Sequence, residues 1–266
     1  MILEAVGEIR SAVTDRKSMP PWGVPAVLEI FPPFAPALLE IGKHSHIWIL
    51  AWLNQGRDER KVLQVTPRGV RDSGPGGLHG VFAVRSPARP NPIGLTAARI
   101  ERIDGLSIHV DRLDFLDHTP LIDIKPYFVT RDLIFSANGR QVGRPASREA
   151  LRESLSVQAE AYHGRLTPDV ALAVRIVEHY RLTHHELNDP ASWHIQAPAA
   201  RPEIVDALVG MTRVTLGRHT LELSAAAAVV ISVEAEYTPL DHGLDAEQVL
   251  SAPDEVLFAY CRLASE

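Results

Sequence analysis

A chain of 266 residues that is 45% hydrophobic is long enough for one large or two ordinary domains, each with a real core. Its single cysteine, Cys261, excludes an internal disulfide framework and any cysteine-based zinc site, and no purely apolar run, AAAAVVI at 225–231 included, is long enough to span a bilayer. The net charge of −6 is uneven: residues 1–145 hold 18 Lys+Arg against 15 Asp+Glu, while residues 146–266 hold 9 against 18, so a polyanionic partner belongs with the N-terminal part.

The opening MILEAVGEIR lacks the basic and apolar regions of a signal peptide, so a soluble, cytoplasmic protein is expected. Strands follow. HSHIWILAWL (44–53) is an apolar run bounded by polar residues, SGPGG (73–77) is a loop, and GVFAV (80–84) reads as a short strand. TAARIERIDG and LSIHVDRLDFL (96–116) form a hairpin with Asp104-Gly105 as its turn. Many short strands with Gly/Pro-rich connections predict a mainly β N-terminal barrel over residues 1–137.

A polar, glycine-rich linker is expected over 138–147. The period then changes. Leu151, Leu155, Ala159 and Tyr162 fall at helical spacing behind Ser147 as N-cap, and TPDVALAVRIVEHYRLTHHEL starts with Thr167 as cap and Pro168 at the first helical position. RPEIVDALVG predicts a helix closed by Gly210. RVTLGRHTLEL and VVISVEAEY read as strands, and SAPDEVLFAYCRL as a final helix with Ser251 and Asp254 in a capping box. Residues 148–266 are thus expected to form an α+β C-terminal domain.

Two segments carry the chemistry. In RSPARPNPIG (85–94), Pro90 and Pro92 fix their own φ and push Arg89 and Asn91 into extended conformations, so the loop is ordered before any ligand arrives. Arg85 and Arg89 offer forked donors for a carboxylate or phosphate; the bland alternative is a stiff connection with solvated arginines. In LDFLDHTPLIDIKPYF (113–128), Asp114 and Asp117 flank an apolar pair. Ile122 and Ile124 then alternate with Asp123 and Lys125, which could equally be a solvated ion pair.

RSPARPNPIGL followed by LDFLDHTPLIDIKPY, together with GEIRS near the start and HSHIWIL at 44–50, resembles the TsaA/TrmO (YaeB-like) family over residues 3–130. The resemblance implies a β-barrel, S-adenosyl-L-methionine-dependent tRNA methyltransferase, with the donor near a homodimer interface. It carries donor contact to Arg85, Leu95, Asp117, His118, Thr119 and Pro120, to Asn54 and Gln55, and to Pro20, Pro21 and Trp22. His118 stands where the family usually has glycine, and Pro21-Trp22 replace an Arg-Gln pair.

The implied acceptor is threonylcarbamoyladenosine in the tRNA anticodon loop, methylated at N6. That nitrogen must shed a proton, for which chemistry, not the resemblance, nominates Asp123 first and His118 second. Arg89, Asn91, Lys125 and Tyr127 suit phosphate contact and base stacking. The alternatives are a donor-binding sensor or accessory protein of a metal or cofactor pathway without tRNA turnover, or methyl transfer to a small molecule.

The second half resembles the FmdE family: His163, Gly164, Pro168, Asp206, Ala207, Thr212 and Gly217 keep its frame over about 150–225, with Thr167 and Met211 in place of its cysteines. This implies a degenerate accessory domain. Six histidines (163, 179, 184, 185, 194 and 219) are read as surface or hydrogen-bonded residues, and no metal is expected.

Overall fold

The computed structural model describes residues 2–263 apart from 54–57, 73, 138 and 242. The chain divides into two compact units, Met1–Ile134 and Phe135–Glu266.

The first unit is built on eight strands: β1 (Gly7–Ser11), β2 (Val24–Ile30), β3 (His46–Trp52), β4 (Gln64–Val65), β5 (His79–Gly80), β6 (Ile93–Asp104), β7 (Ser107–Leu113) and β8 (Thr119–Pro126). Six of them close a barrel in the order β1-β2-β7-β6-β3-β8, and every pairing is antiparallel. Alternation along each strand explains the closure. Ile47, Ile49 and Ala51 of β3 are fully buried, as are Ile9, Leu28, Ile108, Leu113 and Leu121, while His46, Trp48, Leu50 and Trp52 face outward. Register shifts at Val24/Ala26, Leu50/Ala51 and Ile100/Arg102 mark bulges, which sharpen twist and let the sheet curl onto itself.

One bulge overturns a simple pattern. Leu50 pairs with Asp123 and Ala51 with Leu121, so Ile122 is the extra residue of β8. Leu121 and Ile124, rather than Ile122 and Ile124, therefore join the core. Two further expectations shift here. The hairpin loop between β6 and β7 is Gly105-Leu106, with Asp104 paired to Ser107 and Gly105 at φ +58°. Of GVFAV only Gly80 is in a strand. Val81–Val84 turns instead, because the Arg89 guanidinium takes the Val81 and Val84 carbonyls that a neighbouring strand would otherwise satisfy. A single helical turn, α1 (Val129–Asp132), follows β8.

The second unit holds α2 (Arg148–His163), α3 (Pro168–His185), β9 (Ile195–Pro198), α4 (Pro202–Thr212), β10 (Leu221–Ser224), β11 (Val229–Ile231), β12 (Ala235–Pro239), α5 (Ala246–Ser251), α6 (Asp254–Leu257) and β13 (Phe258–Arg262). Ser147 and Thr167 cap α2 and α3 by accepting from the backbone N–H three residues on. The sheet order is β10-β9-β11-β12-β13, with only β9 and β10 parallel.

Tertiary contacts override local signals at four places. Helix α4 runs past Gly210 to Thr212; a Cβ on Gly210 would lie 2.6 Å from Tyr162 Cβ, so the glycine admits α2 rather than ending α4. VVISVEAEY breaks into β11 and β12 at Ser232 and Val233, both with positive φ. RVTLGRHTLEL is a strand only from Leu221 to Ser224. FAYCR is an edge strand rather than helix, and the capping box belongs to Asp245 and Gln248, not to Ser251 and Asp254. Among the described residues no helix is long and apolar enough to cross a membrane, and no group of three His, Cys, Asp or Glu is placed to hold a metal. His179 instead packs among Tyr237, Phe258 and Tyr260, where burial pushes its imidazole toward the neutral form.

Acid should unsettle both units. Asp254 is held below the ordinary aspartate range: burial pushes it up, but Arg148 and Arg175 outweigh burial. In the barrel a hydrogen bond with His118 lowers Glu8, and the Ser11 backbone N–H lowers Asp117. A carboxyl depressed by folding contributes stability that is full above its unfolded value and lost as pH falls through the folded one. The urea midpoint should therefore be level near neutrality and drop below the ordinary carboxylate range.

Candidate active site

A cleft of about 820 Å³ opens on the outer side of the barrel, within the range of roughly 300–1,000 Å³ usual for small-molecule sites. Both motif segments reach it. Arg85, Pro87, Arg89, Ile93, Gly94 and Leu95 come from the first segment or its end; Asp114, Phe115, Leu116, Asp117, His118 and Thr119 come from the second. Pro20 and Pro21 close it from the β1–β2 connection. Sequence reasoning missed Arg68, Met19, Leu50 and Thr96, which also line it.

Gly94 is where the two motifs touch. A Cβ there would lie 2.5 Å from Phe115 Cε1 and 2.9 Å from Leu53 Cδ2, so only glycine lets the aromatic ring seal the cleft floor. Phe115 is itself buried.

The cleft carries both signs of charge, with Arg16, Arg68, Arg85 and Arg89 beside Glu59, Asp114 and Asp117 in its lining. Arg85 donates weakly to the Leu95 carbonyl (3.4 Å) and Arg68 to the Met19 carbonyl (3.4 Å), and Arg89 holds the Val81–Val84 turn. None of these three has a carboxylate partner among the described residues. The carboxylates are Asp114, which accepts from Thr96 Oγ1 at 2.7 Å, and Asp117. Asp117 accepts from the Ser11 N–H at 3.0 Å and lies 3.4 Å from Arg10 Nε. Such a cleft can seat a zwitterion: an anionic head on the arginines, a cationic centre nearer the carboxylates, and an apolar body on Leu50, Leu95 and Phe115.

His118 sits at the mouth with its backbone at φ +57°, a left-handed conformation that glycine adopts freely and histidine at a cost. Neighbouring side chains hold its ring: Nδ1 lies 3.1 Å from Glu8 Oε2 and Nε2 lies 3.3 Å from Asp117 Oδ2, with Arg10 Nη1 at 3.1 Å from Nδ1. Thr119 is buried, and its hydroxyl donates to the Leu116 carbonyl at 2.7 Å, tightening the Leu116–Thr119 turn.

Other expected residues lie elsewhere. Trp22 and Pro120 adjoin the cleft in sequence but are not among the residues lining it. Asp123 is outside the lining; it stands opposite Leu50 on the outer face of β8, pairs with Lys125 at 2.7 Å and accepts from the Ile124 N–H. Asn91 is exposed beyond the rim, and Tyr127 packs against Trp48 on the outside of β3. Asn54 and Gln55 lie outside the described residues.

The family model described as "tRNA-methyltransferase O N-terminal domain" matches residues 9–133. A "Probable S-adenosyl-L-methionine-binding protein" of Archaeoglobus fulgidus is 37% identical over 180 residues, which cover 65% of this chain and 46% of that protein. A protein of the same description from Methanothermobacter thermautotrophicus is 39% identical over 130 residues, 47% of this chain and 89% of that one. The crystal structure of TrmO from Pseudomonas aeruginosa is 28% identical, with a TM-score of 0.42 over 52% of this chain and 60% of that one. The chain thus spans under half the length of the Archaeoglobus relative but most of the Methanothermobacter one. On the matched barrel, its two motifs and the covered relative, this chain belongs to the tRNA-methyltransferase O family.

Proposed function

We propose that the barrel binds S-adenosylmethionine in the cleft and transfers its methyl group to N6 of threonylcarbamoyladenosine in a tRNA anticodon loop. The observation that carries this reading is one cleft lined by arginines (Arg68, Arg85), carboxylates (Asp114, Asp117) and apolar side chains (Leu50, Leu95). The donor carries an α-carboxylate, a sulfonium and an adenine, and these three demands match the three kinds of wall. The family match supports methyl transfer, and the names of the two archaeal relatives support donor binding.

When bound, the donor supplies an electrophilic methyl group for in-line displacement. The chain's own residues do the rest. Arg85 and Arg68 fix the anionic end, the proline-rich loop holds Arg85 without reordering, and Phe115 excludes water from the floor. His118 lines the cleft and Asp123 does not, which supports His118 as the group that takes the acceptor's proton. Glu8 and Asp117 stabilise the imidazolium that results.

Titration calorimetry with S-adenosylmethionine tests the cleft. Arg85→Ala removes one charge-assisted contact, worth about 1.5–3 kcal/mol, so affinity should fall roughly 10- to 100-fold with no change in melting. Unchanged affinity would remove Arg85 from the donor site.

A further inference from the structure

The outer face of β3 continues the cleft in both directions. Trp48, Leu50 and Trp52 are alternate residues of one strand and therefore share that face. Leu50 and its cross-strand partner Leu95 form cleft wall, and Trp52 pairs with Ile93, another wall residue. Four residues of strand put Trp48 and Trp52 about 13 Å apart, one on each side of the wall.

Each tryptophan has a planar companion. Trp48 packs against Tyr127, with ring centroids 5.6 Å apart, and Tyr127 in turn faces His46 at 6.4 Å. The Arg60 guanidinium lies 5.4 Å from the Trp52 ring and donates to the Pro90 carbonyl, which ties it to the proline-rich loop. Arg60 has no carboxylate partner among the described residues, so its charge is left for an anion. Lys125 lies opposite Trp48 on β8. A barrel interior explains none of these outward aromatics.

We propose that these two platforms hold the nucleotides on either side of a methyl-accepting base: one neighbour stacks on Trp48 and Tyr127, the other on Trp52 and Arg60, while the base between them enters the cleft. The occupant is single-stranded RNA. Aromatic faces stack on any base, the guanidinium serves both as a stacking plane and as a phosphate contact, and the excess of positive charge lies in this half of the chain. Paired bases would be stacked on one another and could not use separate platforms. This inference rests on the methyltransferase reading and adds to it the path of the acceptor strand.

The test uses the full chain and an RNA hairpin with an adenosine-containing single-stranded loop, read by fluorescence anisotropy at low salt. Trp48→Leu and Trp52→Leu should each weaken loop binding about 5- to 100-fold, the usual worth of one base–aromatic stack, and Trp48→Phe should keep most of the affinity. S-adenosylmethionine affinity should not change for Trp48→Leu. Tyr127→Leu reads the same platform if Trp48→Leu fails to fold. Wild-type affinity in folded leucine variants would overturn the proposal while leaving the methyltransferase reading intact, provided that the wild-type chain methylates tRNA. A wild-type chain that neither binds nor methylates RNA would remove both. A shift to a smaller species in sedimentation, in step with lost binding, would make the face a contact between copies and also overturn the proposal.

Discussion

Gly23→Ala should destabilise the barrel by about 2–5 kcal/mol and weaken donor binding with it. Two costs combine. Gly23 sits at φ +79°, where an L-residue loses roughly 1–2 kcal/mol. Its added Cβ would also lie 2.3 Å from both the carbonyl carbon and the oxygen of Leu113 and 2.8 Å from the Asp114 nitrogen. These are backbone atoms, so no side-chain rotation relieves the overlap, and relief by backbone movement costs about 1–3 kcal/mol more.

The strain falls on the site. Asp114, Phe115 and Leu116 follow Leu113 directly into the cleft wall, and Pro20 and Pro21 precede Gly23 on the opposite rim. Gly105→Ala is the control. It shares a positive φ, but no atom lies within 4 Å of its added Cβ, so it should cost only about 1–2 kcal/mol and leave donor affinity alone. Urea denaturation and calorimetry on the two variants separate backbone strain from the clash. Equal losses in both would mean that the Leu113 contact contributes nothing.

The second large effect lies in the other unit. Glu178, on α3, is fully buried, and its carboxylate receives Arg148, Arg152 at 2.8 and 2.9 Å, and Arg175 Nε at 3.1 Å. Arg175 is itself only 2% exposed, and its Nε lies close to Glu178 without hydrogen-bond alignment. Its remaining partners are Asp254 and the carbonyls of Val249, Leu250 and Ala252. This one guanidinium ties α3 to α5 and to the start of α6. Glu178→Ala strands cations in the interior, which costs about 3–5 kcal/mol. Glu178→Gln keeps the shape and an acceptor oxygen and should cost less. Urea denaturation followed by circular dichroism checks the order, and an alanine variant as stable as wild type would contradict it.

The legible parts of the fold were those decided locally. Ser147 and Thr167 announce α2 and α3 because capping geometry needs only the next three residues. The barrel reads from alternation, as in Ile47, Ile49 and Ala51. What did not read was decided by distant partners. FAYCR carries a helix-compatible pattern, yet β12 supplies an open edge that makes it a strand. GVFAV has strand composition, but Arg89 occupies its carbonyls.

The cleft divides in the same way. Arg85, Leu95, Asp117, His118 and Thr119 were legible because two long motifs name them. Arg68 arrives from TPRGV, a segment with no local signature, because the fold carries it there. Asp123 lies outside the cleft lining, on an outer face set by a bulge that appears only when β8 pairs with β3. The left-handed backbone at His118 is one that glycine adopts without strain, and Glu8, Arg10 and Asp117 supply what holds a histidine there.

The proposed reaction is delivery of a methyl group from this cleft to a tRNA adenosine. Its most direct test is incubation of the full chain with S-adenosylmethionine carrying an isotopically labelled methyl group and with tRNA containing threonylcarbamoyladenosine. The RNA is then digested to nucleosides for mass spectrometry. One labelled methyl group is expected on the base portion of threonylcarbamoyladenosine, lost in Arg85→Ala at limiting donor. Unlabelled nucleosides at saturating donor, from a chain that calorimetry shows to bind the donor, would contradict it.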